Sequence, residues 1–131
     1  MRRPRRVVLV EDHATLREGL GLLLAAEGFQ VVGQAPDAEA GYRVATREWP
    51  DVVVVDVKLP GEDGISLARR LMRANSRTGV LLLTGADEPR LLADALESGA
   101  QGVAHKAAPL QETVRAVRAV AAGGGYVDQR V

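Results

Sequence analysis

The sequence contains no cysteine and very few aromatic residues. The absence of cysteine excludes disulfides, thiolate metal sites and thiol catalysis. Because aromatic residues make up only 3% of the 131-residue chain, few side chains are available for stacking on nucleic-acid bases, and the core must be mainly aliphatic. We therefore expect neither a disulfide scaffold nor an RNA-binding sheet.

The chain also has no net charge and no apolar run long enough to cross a bilayer. Its seventeen basic and seventeen acidic residues cancel, so there is no bulk attraction for DNA or anionic lipid. Four of the first six residues are arginine, but the apolar run after them covers only Val7 to Val10, which is too short for a secretory signal. We predict that residues 1–5 form a solvated basic tail, with a nucleic-acid arm as the alternative, and that the protein is cytoplasmic, without membrane contact.

Short apolar runs alternate with stretches of helical period, which is typical of a parallel sheet with helices on both faces. Strands are predicted at Val7 to Val10, Gln30 to Ala35, Val52 to Val55, Gly79 to Leu83 and Gln101 to Ala104. Helices are predicted at His13 to Glu27, from the Asp37 cap to Pro50, Ile65 to Ala74, about Asp87 to Ser98, and from Pro109 to Gly123. The buried face of the second helix is predicted to include Trp49.

Polar residues stand at the ends of four of these strands. Glu11 and Asp12 follow the first strand, Asp56 ends the third, Thr84 ends the fourth, and Lys106 follows the fifth. In doubly wound sheets the ligand crevice lies outside the carboxyl ends of the strands. We therefore expect these side chains to converge at one edge of the sheet.

Three neighbouring carboxylates repel each other by roughly 1 to 4 kcal/mol per close pair at about 4 Å unless a cation joins them. Carboxylate oxygens suit Mg²⁺ better than Zn²⁺. An ionised aspartate can attack a phosphoryl group while an ammonium and a hydroxyl hold the remaining oxygens. Fifteen of the seventeen basic residues are arginine, so a lysine at position 106 suggests a chemical requirement for a compact ammonium, with chance as the alternative.

The chain resembles the receiver domains of two-component response regulators over about Arg6 to Ala122. The resemblance rests on Glu11-Asp12, the stretch VVVVDVKLPGEDG from Val52 to Gly64, Leu82 to Thr84, the turn from Gly99 to Gly102, and Lys106. It implies a flavodoxin-like α/β fold with a doubly wound five-stranded parallel sheet in the order 2-1-3-4-5. It also implies these roles: Asp56 as phosphoacceptor, Asp12 as direct Mg²⁺ ligand, Glu11 as ligand through water, the backbone carbonyl of Lys58 as a further ligand, and Thr84 and Lys106 as phosphoryl-binding groups.

The piece EDHATLREGL from Glu11 to Leu20 is similar to the NarL/LuxR-type branch of that family, whose members carry a C-terminal helix-turn-helix. This implies a sensor histidine kinase as partner, homodimer formation on phosphorylation, and DNA contact only through an output domain not in this chain. Residues 6–122 would be the receiver and residues 123–131 a linker-like segment, in a fragment or a stand-alone receiver. Such a protein is not an enzyme beyond catalysing its own aspartyl phosphorylation and dephosphorylation.

Some residues depart from the family pattern and leave alternatives open. Val103 stands where an aromatic residue or threonine is common, and Gly85 where a small side chain is usual. A non-phosphorylated pseudo-receiver that acts as a protein-interaction module is therefore an alternative. An aspartate-nucleophile phosphatase would need a second acid at the position of Lys58, and a flavin-binding protein would need a glycine-rich phosphate loop. His13 and His105 have no paired ligand at metal spacing, so we interpret both as structural or exposed.

Overall fold

Strands and helices alternate along the chain, as the sequence predicts. A computed structural model describes residues 3–85 and 89–128, with the side chains of residues 89 and 90 excepted. The elements are β1 Arg6–Val10, α1 Ala14–Ala26, β2 Gln30–Ala35, α2 Ala38–Glu48, β3 Val52–Asp56, α3 Gly64–Ala74, β4 Gly79–Thr84, α4 Pro89–Glu97, β5 Gly102–His105, α5 Leu110–Ala121 and β6 Tyr126–Val127. The predicted helix start at Asp87 lies outside the described residues.

The sheet is parallel and has six strands in the order β2-β1-β3-β4-β5-β6. The first five strands follow the predicted order 2-1-3-4-5, but the prediction of a five-stranded sheet is wrong. The sixth strand forms because the chain after α5 turns back along β5, where the Tyr126 amide donates to the Gln101 carbonyl and the Asp128 amide to the Val103 carbonyl. The predicted linker-like segment 123–131 thus includes β6, and its last three residues lie outside the described residues.

The central strands are buried on both faces, which explains their uninterrupted apolar runs. In β1, Val8 and Val10 point into one cluster and Val7 and Leu9 into the other, because successive strand side chains alternate between faces. The first cluster packs the sheet against α2, α3 and α4, and the second packs it against α1 and α5. Helices therefore cover both faces, as predicted.

The second helix begins as predicted, but it ends before its expected last residue. The Asp37 carboxylate accepts a hydrogen bond of 2.8 Å from the Ala40 amide, which is an N-cap interaction. The helix ends at Glu48, and Trp49 has a φ of 45°, in the left-handed region. The prediction that Trp49 belongs to the buried face is wrong, since its side chain is 44% exposed. Because Trp49 is no longer helical, it does not lie on the face that helical spacing would assign to it.

No helix in the described part of the chain combines the length and the apolar character needed to span a bilayer.

Candidate functional site

Three of the predicted polar side chains meet at the carboxyl edge of the sheet. Glu11 and Asp56 are almost completely buried, with 3% and 1% of their surface exposed. The Nζ atom of Lys106 lies 2.8 Å from Oδ2 of Asp56 and 2.8 Å from Oε1 of Glu11. The structure thus brings together two acids and the ammonium that come from three different strand ends.

The register of the parallel strands explains this convergence. Val10 in β1 is the partner of Val55 in β3, so Glu11 and Asp56 are the next residues along two adjacent strands. Asp56 is the partner of Leu83 in β4, which places Thr84 one position further along. The Lys106 amide, directly after β5, donates a 2.8 Å hydrogen bond to the Thr84 carbonyl. Thr84 is buried at the same edge.

Two hydrogen bonds fix the backbone of Glu11 in the turn between β1 and α1, one made by its amide and one by its carbonyl. The Glu11 amide donates to the Ala35 carbonyl of β2 at 3.0 Å, and the Arg17 guanidinium donates to the Glu11 carbonyl at 2.6 Å. Asp12 follows with an exposed side chain. The turn therefore fixes the backbone of a buried acid next to an acid that remains open to solvent.

The acidic side chains fit a divalent cation. Ligand atoms of Glu11, Asp12, His13 and Asp56 all lie within 4.8 Å of one another. Around an octahedral ion with bonds of about 2.1 Å, neighbouring ligand atoms are about 3 Å apart and opposite ones about 4.2 Å. Carboxylate oxygens are the ligands that Mg²⁺ prefers. The group needs only a small contraction to hold such an ion.

Lys58 contributes its backbone to the site. Its amide donates a hydrogen bond of 3.2 Å to Oδ1 of Asp56, while its side chain is exposed. The two oxygens of Asp56 therefore have different partners, since Oδ2 is bound by Lys106. The role of the Lys58 carbonyl as a metal ligand stays a prediction.

The model of the response regulator receiver domain family matches residues 7–118. The chain belongs to this family. It is 39% identical to the response regulator GacA of Pseudomonas viridiflava over 127 residues, which are 96% of this chain and 59% of that protein. The oxygen regulatory protein NreC of Staphylococcus epidermidis is 33% identical over 128 residues, with the same two shares.

A solved structure shows the same fold and the same branch of the family. It is a LuxR-family two-component response regulator from Aurantimonas sp. SI85-9A1, with a TM-score of 0.89 and 34% identity over 95% of this chain and 89% of that one. Together with the relatives above, it supports a receiver of the NarL/LuxR type. The chain spans about three fifths of the length of the curated relatives it matches.

The receiver holds Lys106 in an environment with two opposing effects on its pKa. Burial of the ammonium on its own lowers the pKa. The hydrogen bonds and the negative charges of Asp56 and Glu11 act in the other direction and outweigh burial, so the pKa of Lys106 is raised above its ordinary value of 10.5. Lys106 therefore stays charged at neutral pH.

Gly64 ends the stretch that carries the family resemblance, but the sequence alone did not assign it a role in the site. A Cβ atom at this position would overlap the carbonyl oxygen of Asp56 and approach the Val55 side chain to 2.9 Å. The Gly64 amide donates to the Val57 carbonyl, and the Asp63 carboxylate caps α3 by accepting from the Ser66 amide at 2.8 Å. Only glycine lets the start of α3 pack this closely against the end of β3.

The two histidines occupy different environments. The His13 side chain is 67% exposed, in agreement with the prediction that it is structural or exposed. Its Nδ1 lies 3.3 Å from Oδ1 of Asp12 and 3.4 Å from Oε2 of Glu11. His105 is buried in β5, and its Nδ1 accepts from the Ala107 amide at 3.0 Å. The sequence did not predict that His13 lies beside the acid pair, because histidine has no second metal-ligand residue of its own type at a helical or strand spacing here.

Val103, at the position where the family commonly has an aromatic residue, is 1% exposed. It packs in the cluster that also contains Leu82 and Ala95, between β4, β5 and α4. A small aliphatic side chain that is already buried has no exposed position to leave. Val103 therefore cannot make the rotation from an exposed to a buried position that an aromatic residue could make there.

Proposed function

We propose that this receiver is a phosphorylation-dependent signalling switch that accepts a phosphoryl group from a sensor histidine kinase on Asp56 in the presence of Mg²⁺. The observation that carries the proposal is the contact of 2.8 Å between Lys106 Nζ and Oδ2 of the buried Asp56. This nucleophile candidate lies among carboxylates that fit a divalent cation. With a cation bound, the pocket would combine a carboxylate nucleophile with positive charge on two sides.

The reaction is a transfer of a phosphoryl group between two nucleophiles. An oxygen of Asp56 forms a bond to phosphorus while the bond from phosphorus to the donor, a kinase phosphohistidine or a small acyl phosphate, breaks and its electron pair leaves with the donor. The Lys106 ammonium then binds one oxygen of the transferred group and the Thr84 hydroxyl another. Lys106 Nζ already contacts Oδ2 of Asp56, and Thr84 directly follows Leu83, the β4 partner of Asp56.

Asp12 and Asp56 would hold Mg²⁺ directly, Glu11 through water, and Lys58 through its backbone carbonyl. When bound, the ion would neutralise negative charge on the oxygens of the transferred phosphoryl group. Lys106 contacts the buried Asp56 carboxylate and is itself bound by Glu11, which orients the nucleophile in the absence of the ion. The chain thus catalyses only its own phosphorylation and dephosphorylation and is not an enzyme acting on other molecules.

We further propose that the receiver controls an output domain that regulates transcription. BvgA of Bordetella pertussis, 34% identical over 92% of this chain, is named as a positive transcription regulator of virulence factors. DNA contact would then belong to the output domain, and phosphorylation would shift an existing equilibrium between two conformations and favour a homodimer. We expect the protein to act in the cytoplasm, where its kinase partner and DNA are both accessible.

The test is incubation with acetyl phosphate and Mg²⁺ followed by mass measurement of the intact protein. We expect one phosphoryl adduct that is stable in acid and labile in base. It should be absent from Asp56→Ala and present in Asp94→Ala, which removes an exposed aspartate of α4. A folded wild-type protein that forms no adduct would refute the proposal and favour a non-phosphorylated interaction module.

A further inference from the structure

We propose that His13 is an additional ligand of the divalent cation and that its imidazole makes the site favour Mn²⁺ over Mg²⁺. The inference rests on the cation site of the proposed function. His13 would add a nitrogen ligand to a site whose other ligands are oxygen atoms.

The position of His13 gives its ring no structural task in the helix that follows. His13 is the N-cap residue of α1, with φ −80° and ψ 104°, but its side chain makes no capping hydrogen bond. Serine, threonine, aspartate or asparagine at this position would accept a bond from the helix and stabilise it by about 1 kcal/mol. The start of α1 therefore does not require histidine.

The ring is directed at the acid pair instead. Nδ1 lies 3.3 Å from Oδ1 of Asp12 and 3.4 Å from Oε2 of Glu11. These separations are close to the value of about 3 Å between neighbouring ligand atoms of an octahedral ion. The wider group that includes Asp56 stays within 4.8 Å. Nδ1 thus occupies the kind of position that a fourth ligand atom would have.

Lys106 leaves this side of the pocket open. Its Nζ contacts Oε1 of Glu11, whereas His13 lies next to Oε2 of the same carboxylate. An ion between His13, Asp12 and Oε2 of Glu11 would therefore not have to displace the ammonium from Oε1. The exposed side chains of His13 and Asp12 also leave an entry path from solvent.

An imidazole nitrogen changes which ion is preferred. Mg²⁺ strongly prefers oxygen ligands, whereas affinity for nitrogen-containing sites rises from Mn²⁺ through the later first-row divalent ions. An imidazole that coordinates should therefore increase binding of Mn²⁺ more than that of Mg²⁺. If the ring were only a positively charged partner of the acids, an entering cation would repel it, and no nitrogen would be bound to the metal.

The experiment measures Mn²⁺ binding by the purified chain through the electron paramagnetic resonance signal of the free ion, with Mg²⁺ as competitor. In the wild type, pulsed measurements should detect ¹⁴N coupling of an imidazole to bound Mn²⁺. His13→Ser keeps a favourable N-cap and removes the imidazole. We expect this variant to lose the coupling and about tenfold or more in Mn²⁺ affinity, with a change in Mg²⁺ affinity below about threefold. His13→Ala provides a second variant without the serine hydroxyl.

His105, the other histidine of the chain, remains in both variants and serves as an internal control. Imidazole coupling that persists in folded His13→Ser, or equal losses of Mn²⁺ and Mg²⁺ affinity, would overturn the assignment of His13. Cation binding that does not depend on His13 would leave the proposed function intact. A wild-type protein that binds neither ion would refute both the assignment and the cation site of the proposed function.

Discussion

The ammonium of Lys106 lies 2.8 Å from a carboxylate oxygen of Asp56, a residue 50 positions earlier in the chain. The same nitrogen is also 2.8 Å from Oε1 of Glu11, so one ammonium forms ion pairs with two nearly buried carboxylates. Removing one partner of such a group leaves uncompensated buried charge, which is costly. Lys106 is therefore the residue that holds the pocket together when no cation is bound.

Replacing Lys106 with methionine should increase Mg²⁺ affinity, because the ammonium and the metal compete for the same negative charge. We expect an increase of about fivefold to tenfold, the effect of a unit charge a few ångströms away in a partly hydrated site. Isothermal titration would measure it. Lys58→Met is the matched control, since Lys58 is the other lysine and its side chain is exposed. Unchanged or weaker Mg²⁺ binding by Lys106→Met would contradict this interpretation of the ion pair.

The raised pKa of Lys106 predicts how its contribution to stability depends on pH. Because the folded-state pKa lies above the ordinary value of 10.5, the stabilisation is fully present below about pH 10.5 and is lost as the pH rises through the folded-state pKa. The difference in unfolding free energy between the wild type and Lys106→Met should thus be constant from about pH 7 to 9. Urea denaturation at several pH values measures it, and a difference that disappears within that range would disprove the assignment.

Substitution of Gly64 should be far more harmful than substitution of another helical glycine. In Gly64→Ala the new Cβ atom would overlap the Asp56 backbone, which cannot move without disturbing β3. We expect a loss of about 1 to 3 kcal/mol in stability and slower phosphorylation of Asp56. Gly19→Ala in α1 is the control, because nothing lies within 4 Å of its new Cβ atom, and it should stabilise by about 0.5 to 1 kcal/mol. Equal effects in chemical denaturation would argue against close packing at Gly64.

Hydrogen exchange can test whether the sixth strand forms in solution. The amides of Tyr126 and Asp128 donate to carbonyl groups of residues 101 and 103, and alternate amides of a parallel strand point away from the partner. We expect slow exchange at Tyr126 and Asp128 and faster exchange at Val127. Equally fast exchange at all three amides would mean that this segment is not paired with β5.

The sequence predicted the convergence of the site because short apolar runs alternate with stretches of helical period, which indicates a parallel sheet covered by helices. Runs such as Val52 to Val55 identify strands buried on both faces, and a parallel sheet places all their carboxyl ends at one edge. Asp56, Glu11 and Lys106 could therefore be expected together before any distance was known. The side chains were identifiable, but their separations depend on the strand register, which the pattern does not give.

Other features were not predictable because they leave no periodic signal. A strand of two residues, Tyr126–Val127, is too short to show alternation, and the preceding glycines suggested only a linker. The structure shows close contacts there, since a Cβ atom at Gly125 would lie 3.2 Å from the Gln101 carbonyl oxygen. Trp49 kept the helical spacing although the helix had ended. In each case a local backbone turn, rather than hydrophobic pattern, decided the outcome.

The central claim is that Asp56 is the residue that carries the phosphoryl group, and chemical trapping tests it most directly. After incubation with acetyl phosphate and Mg²⁺, borohydride reduces an aspartyl phosphate to homoserine, which tandem mass spectrometry locates in the sequence. We predict homoserine at position 56 alone, and only in samples that received the phosphoryl donor. Homoserine at another aspartate, or a phosphoryl group found on a serine, threonine or histidine with Asp56 unmodified, would contradict the account.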